Sequence, residues 1–303
     1  AGLGLLWILG RVAVFNANFL PDFLPMVLDV ALLPLAIMGI APAIFRKGNK
    51  RNYFLPVMLM VFAIFNLCSH LSALDLVAID ENNFFIAALL FVVMLMNVIG
   101  GRVAPSFLKN KYPDVQQFSH KAILPISMIS IVVTMVSIIF SAPAVIIGSS
   151  SLVAATAILI RVIGWKGWIA RKDPLMIILH IGVLWISVGF FLMSYANFYD
   201  DGFMVLSYHA FSIGAAGSLT LGVMTRALIG HSGMPMNNEG MITFYFILIN
   251  IAAISRILAP VLFIDYYSEF LFISGVCWVL AYLMFLIRAI PVVIKPRADG
   301  RPG

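Results

Sequence analysis

The run from Leu175 to Tyr195, LMIILHIGVLWISVGFFLMSY, is 21 residues long and holds no Asp, Glu, Lys or Arg and one histidine, His180. At 1.5 Å per residue a helix of that length spans a hydrocarbon layer about 30 Å thick. Its flanks are polar and of opposite kind: Arg171 and Lys172 stand before it, Asp200 and Asp201 after it. The stretch therefore reads as a membrane-crossing helix with one basic and one acidic end.

Working outward, nine further apolar runs bring the expected count to ten helices. They cover about Leu3–Phe15, Phe23–Phe45, Tyr53–Leu74, Phe84–Val103 and Ala122–Phe140, then Ala144–Ile163, Met204–Ile229, Met241–Ile264 and Phe270–Ile290. The narrowest junction is Ser141 to Pro143, between the fifth and sixth runs. Of the 303 residues 62% are hydrophobic and 11% charged, with a mean hydropathy of +1.05, which excludes a soluble globular fold. Strands of a membrane barrel alternate over about ten residues, whereas these runs are continuous, so an all-α polytopic membrane bundle is expected. Residues 1–303 show no repeat or interdomain linker and read as a single helical transmembrane domain. The longest connection, Ala104 to Lys121, is a basic loop with Pro105 and Pro113 as breakers.

Charge tests the count, because alternate loops differ in Lys and Arg when the spans are placed correctly. Seventeen of the 19 bases fall in one set of loops, from Arg46 to Arg51, Arg102 to Lys121, Arg161 to Lys172, Arg226, and Arg288 to Arg301. The other set holds Asp22, Asp75, Asp80, Glu81, Asp200, Asp201, Asp265 and Glu269 and no base. Both ends of the chain are thereby expected in the cytoplasm. The net charge of +6 is a topology signal, which removes the reason to look for a nucleic-acid partner. Cys68 and Cys277 both lie in apolar runs and give neither a disulfide framework nor a paired-cysteine zinc site. The chain opens at Ala1, without an initiator Met and already in an apolar stretch, and reads as a fragment that lacks its native N-terminus.

Ionisable groups within spans are costly unless paired, ligated or hydrated, and so become candidates for function. They are Arg11, Asp29, His70, His180, His209 and Arg256, with Arg102, His120, Arg226 and His231 at inner ends. Counting rise per residue places His70 and His209 about 6 to 8 Å below the outer boundary, in one plane. Two readings compete there. In one, Arg11 and Asp29 form a structural ion pair on consecutive helices and Arg256 snorkels outward. In the other, His70 and His209 ligate a haem iron while Arg11 or Arg256 neutralises its propionates. Towards the inner side, His180, His231, Arg102 and Arg226 suggest a second cluster, whose imidazoles suit copper, iron or zinc alike. His120 follows a polar loop and reads as a solvated interfacial residue.

The stretch Tyr208 to Gly233, YHAFSIGAAGSLTLGVMTRALIGHSG, resembles the HA…G…MTRA..GH.G block of the NnrS family. WILGRV at Trp7 to Val12, VIGGRVAPSF at Val98 to Phe107 and HIGVLWISVGF at His180 to Phe190 follow the order in which that family shows them. The resemblance covers nearly the whole chain. It implies a polytopic protein of the bacterial inner membrane, similar to haem- and copper-containing proteins linked to nitric oxide stress and denitrification. Positions matching the family motifs are His209, Arg226 and His231, Arg102, His180, and less closely His70 and Arg11. The family usually has about twelve helices, and its first pair carries a W-H-x-H-E-M type motif that this chain lacks. If those histidines are ligands, a metal site here is incomplete. Its usual GHTGRP reads GHSGMP at Gly230 to Pro235, with Ser232 and Met234 altered.

The expected function is therefore a membrane protein that binds haem and copper and senses, binds or detoxifies nitric oxide or a related small molecule. Any turnover would belong to the metal cofactor, since no nucleophile and base pair or phosphate loop is visible. A transporter or channel lined by the buried charges is the alternative, which matching broken helices in two related halves would favour. An assembly factor for a respiratory metalloenzyme is the other.

Overall fold

The computed structural model describes residues 2–46, 53–234, 240–298 and Gly300. Among these no strand occurs, and the elements are α1 (Gly2–Phe15), α2 (Phe23–Val30), α3 (Leu32–Arg46), α4 (Phe54–Ala73), α5 (Glu81–Lys111) and α6 (Ile123–Ile139). They continue with α7 (Ala144–Gly164), α8 (Pro174–Phe198), α9 (Phe203–His209), α10 (Ser218–Ser232), α11 (Gly240–Leu262) and α12 (Tyr267–Val293). Among the described residues eight spans are long and apolar enough to cross a membrane, with α2 and α3 forming one and α9 through α10 another; α1 and α6 are apolar but shorter. The protein is a multi-pass all-α membrane protein, and each of the ten expected runs is helical.

Three local departures have physical causes. The fourth span runs through Pro105 to Lys111, beyond the expected end at Val103. Proline removes one N–H from the ladder, but the polar turns after it continue as helix, and the Pro105 carbonyl accepts from Gln117 Nε2 at 3.0 Å. The expected breaker is thus an interior residue. The second span is interrupted at Ala31, where Pro34 lacks the N–H that would reach the Val30 carbonyl, although Ala31 N–H still reaches Val27 O at 3.1 Å and Leu35 N–H reaches Ala31 O at 3.1 Å. The eighth span widens to a π-helix over Ala210–Gly217, directly after His209. At the narrow junction the chain does turn, with Ser141 at a φ of 48° and Pro143 preceding α7.

The chain divides into two compact units, Ala1–Leu90 with Met135–Ala142, and Phe91–Thr134 with Pro143–Gly303. In the first, α1 lies against α2, and α3 against α4. Close approach of α1 to α2 depends on Gly10, where a Cβ would meet Asp29 Cα and Leu28 O at 3.3 Å.

In the second unit α8 is the hub, packed against α7, α9, the π-helix and α10, while α11 pairs with α12. Asp173 caps α8: its Oδ1 accepts from Leu175 N at 3.1 Å, its Oδ2 takes Lys111 Nζ at 2.5 Å, and Pro174 opens the helix at a position that needs no donor. Small residues let the backbones approach, as at Gly182, where a Cβ would lie 2.6 Å from Leu219 Cγ. Hydrogen bonds across helices add to the packing: Trp185 Nε1 donates to Asn250 Oδ1 at 2.9 Å, Ser187 Oγ to Ala155 O at 2.7 Å, and Thr225 Oγ1 and Tyr245 Oη share a bond at 2.8 Å. Gly233 ends α10 with a φ of 70°, a left-handed turn that a side chain resists.

Candidate functional site

The first unit holds a half-open cavity of about 950 Å³. Phe62, Phe65, Phe84 and Phe85 give it apolar aromatic walls, and Arg11, Asp29 and His70 meet on its lining. Asp29 sits near the end of α2 and is 8% exposed. Its Oδ1 pairs with an Arg11 guanidinium nitrogen, and its Oδ2 lies 3.2 Å from His70 Nε2. The ion pair expected between Arg11 and Asp29 is present, and His70 joins it.

That geometry fixes the imidazole's hydrogen. A carboxylate held by a guanidinium only accepts, so His70 Nε2 must carry the proton and donate. Nδ1 then keeps its lone pair and has no hydrogen-bond partner among the described residues. Metal-ligating histidines are oriented in this way, with the second nitrogen donating to a carboxylate. By volume the cavity falls within the range of cofactor sites, roughly 300 to 1,000 Å³.

His209 belongs to the second unit, at the end of α9, where the π-helix begins. Arg256 Nε donates to His209 Nε2 at 3.1 Å, and Arg256 Nη1 donates to Tyr267 Oη at 2.9 Å. The bond to arginine engages His209 Nε2, so this nitrogen acts as an acceptor. π-helical turns often mark functional positions, and here one sets the register of His209.

Of the expected inner cluster, the structure brings His180 and Arg226 to the same residue of α8, Met176. His180, 4% exposed, lies 3.0 Å from the Met176 carbonyl through Nδ1, which therefore donates, and its buried Nε2 has no partner among the described residues. Trp165 meets the ring edge-on at 6.0 Å. Arg226 rests on the face of Phe107 at 3.8 Å and points Nη1 at Met176 Sδ, also at 3.8 Å. Arg102 and His231 are exposed, His231 in the last turn of α10. Of the altered GHSGMP stretch, Pro235 lies outside the described residues. No group of three or more His, Cys, Asp or Glu side chains suited to a metal occurs among the described residues.

One buried centre was not expected. Arg161 in α7 is 9% exposed and donates from Nη1 to Asn97 Oδ1 at 2.7 Å, while Asn97 Nδ2 donates to Ser127 Oγ at 3.1 Å. Gly101 makes room for this guanidinium, since a Cβ there would overlap Nη2. Two signals were available: Arg161 lies within the sixth apolar run although its charge groups it with the loops, and Asn97 is a strongly polar residue in an otherwise apolar stretch.

A family model described as NnrS protein matches residues 1–297. No curated protein and no solved structure matches the chain.

Proposed function

The chain belongs to the NnrS family, and from that premise we propose that it holds a haem in the first unit's cavity, with His70 as an iron ligand, as part of the response to nitric oxide at the bacterial inner membrane. The observation that carries this reading is the His70–Asp29 hydrogen bond of 3.2 Å on the wall of a cavity of about 950 Å³. A haem supplies an iron centre able to bind a diatomic ligand and to change oxidation state. The rest of the work falls to the protein. Asp29 fixes the tautomer of His70 and raises its basicity, Arg11 balances the Asp29 charge, and the phenylalanines give the ligand apolar walls. With half its side chain exposed, Arg11 also retains N–H groups for an anionic edge of the ligand.

His209 belongs to the second unit and is given no part in the first unit's site. Its Nε2 accepts from the Arg256 guanidinium, which leaves Nδ1 as the N–H of a neutral ring. For copper the donors fit poorly. Nε2 of His180 is a buried free nitrogen, but no cluster of three potential ligands accompanies it among the described residues, and no step is assigned to copper.

Oxidised and reduced visible spectra with iron analysis on the detergent-purified chain test the proposal. Wild type is expected to retain iron with a Soret band, and His70→Ala to lose both while remaining folded by circular dichroism. Asp29→Asn should weaken haem retention about 10- to 100-fold. A full Soret band in His70→Ala, or wild type purified without iron and unable to take up added haem, overturns it.

A further inference from the structure

A second cavity, of about 300 Å³, lies wholly within the second unit, where the end of α5 and the loop after it meet α6 and α7. The polar side chains on its lining include Ser106, Lys109, Ser119, His120 and Arg161, and no carboxylate is among the lining residues. Each of these presents a donor. His120 Nδ1 accepts from the backbone N–H of Ala122 at 3.3 Å, which leaves Nε2 as the N–H.

Arg161 gives the site its requirement. It is nine-tenths buried, and its hydrogen bond to Asn97 is to a neutral amide oxygen. Its other contact is the face of Trp165, 5.2 Å from the ring centroid. Among the described residues no carboxylate forms an ion pair with it. A guanidinium withdrawn from water without a counter-charge is strongly disfavoured, more so inside a membrane protein.

The surroundings are built to hold this arrangement. Donation from Asn97 to Ser127 aims the Asn97 carbonyl at the guanidinium, and Gly101 opens the space for it. The loop is tied down on two sides: Phe118 N–H donates to Gly164 O at 2.9 Å, and Gln117 Nε2 donates to Pro105 O at 3.0 Å. Gly164 permits that approach, because a Cβ there would lie 2.8 Å from the Phe118 carbonyl.

We propose that this cavity binds a phosphate-type oxyanion, with Arg161 and Lys109 carrying the charge recognition and Ser106, Ser119 and His120 offering further donors. A tetrahedral anion with several oxygens matches a fork of guanidinium N–H groups beside an ammonium and hydroxyls. The phosphoryl group can belong to an anionic lipid headgroup or to a soluble phosphate. Basic pockets between membrane helices recognise the first, and the cavity has room for the second. The proposal is independent of haem at His70.

Thermal unfolding of the full chain in nanodiscs separates the sources. In phosphatidylcholine discs, inorganic phosphate is titrated against chloride at equal ionic strength; in parallel, discs containing phosphatidylglycerol replace phosphate. A saturable rise in the midpoint with phosphate assigns a soluble anion, and a rise only with phosphatidylglycerol assigns the lipid. In either case Lys109→Gln, an exposed position, should weaken binding about tenfold, and Arg161→Gln should abolish it. If Arg161→Gln fails to fold, Lys109→Gln decides alone. No rise in either series, or the same rise in wild type and Lys109→Gln, overturns the proposal.

Discussion

Asp29 and Arg11 form a pair of unequal depth, and the inequality has a testable consequence. The side chain of Asp29 is 9% exposed and that of Arg11 50% exposed. Removing the arginine strands a buried carboxylate with only the neutral His70 imidazole for support, whereas removing the carboxylate leaves a cation that can reach the interface along its own stem. Arg11→Gln is therefore expected to destabilise the fold by about 3 to 5 kcal/mol, and Asp29→Asn by much less, with the double variant recovering most of the loss. Detergent-solubilised thermal unfolding checks this, and equal losses in both single variants would contradict the assigned depths. The Arg11 and Asp29 partnership was legible in the sequence, because two opposite charges in consecutive short apolar runs have few other choices. His70 as the second partner of Asp29 was not, since it depends on how α2 and α4 are rotated about their axes, and apolar runs with no polar face carry no such information.

At the scale of elements, close approach between α8 and α10 rests on glycines as well as on the shape of large side chains. A Cβ at Gly222 would lie 2.9 Å from Ile178 Cγ2, while a Cβ at Gly275 of α12 meets nothing within 4 Å. Gly222→Leu should then cost about 1 to 3 kcal/mol by overpacking, and Gly275→Leu should be tolerated; denaturation by increasing dodecyl sulfate in mixed micelles reads the difference, and similar midpoints would refute the close contact. The sequence told where helices are because a run of about 20 apolar residues has one stable backbone solution in lipid. It did not tell what kind of helical turn follows His209: Ala210 to Gly217, AFSIGAAG, holds no proline and no charge, and such a stretch fits an α-turn and a π-turn equally well. Pro105 misled for the converse reason, since breaker chemistry in a polar stretch looks the same whether the chain stops there or runs on for six more residues to Lys111.

For the whole molecule, the charge asymmetry of the loops is the property with the widest reach, because the expected orientation of every span follows from it. Lys and Arg near the ends of spans resist translocation, and acidic residues contribute little to that choice. Arg161 shows how far the rule extends. It adds to the basic side of the count, yet it is buried within α7 and hydrogen-bonded to Asn97, so one residue of the topology signal is also part of a site. The remaining bases of that loop set still outweigh it, and the orientation does not depend on it. With Cys68 and Cys277 replaced by serine, single cysteines at Lys109 and at Lys166 are expected to react with a membrane-impermeant maleimide only in inverted vesicles, and single cysteines at Asp75 and Asp200 only in intact spheroplasts. Labelling of the Lys109 and Asp200 positions from the same side would mean that an odd number of the three spans between them, α6, α7 and α8, had been miscounted, and it would overturn the inner-side placement of His180 and of the cavity at Arg161.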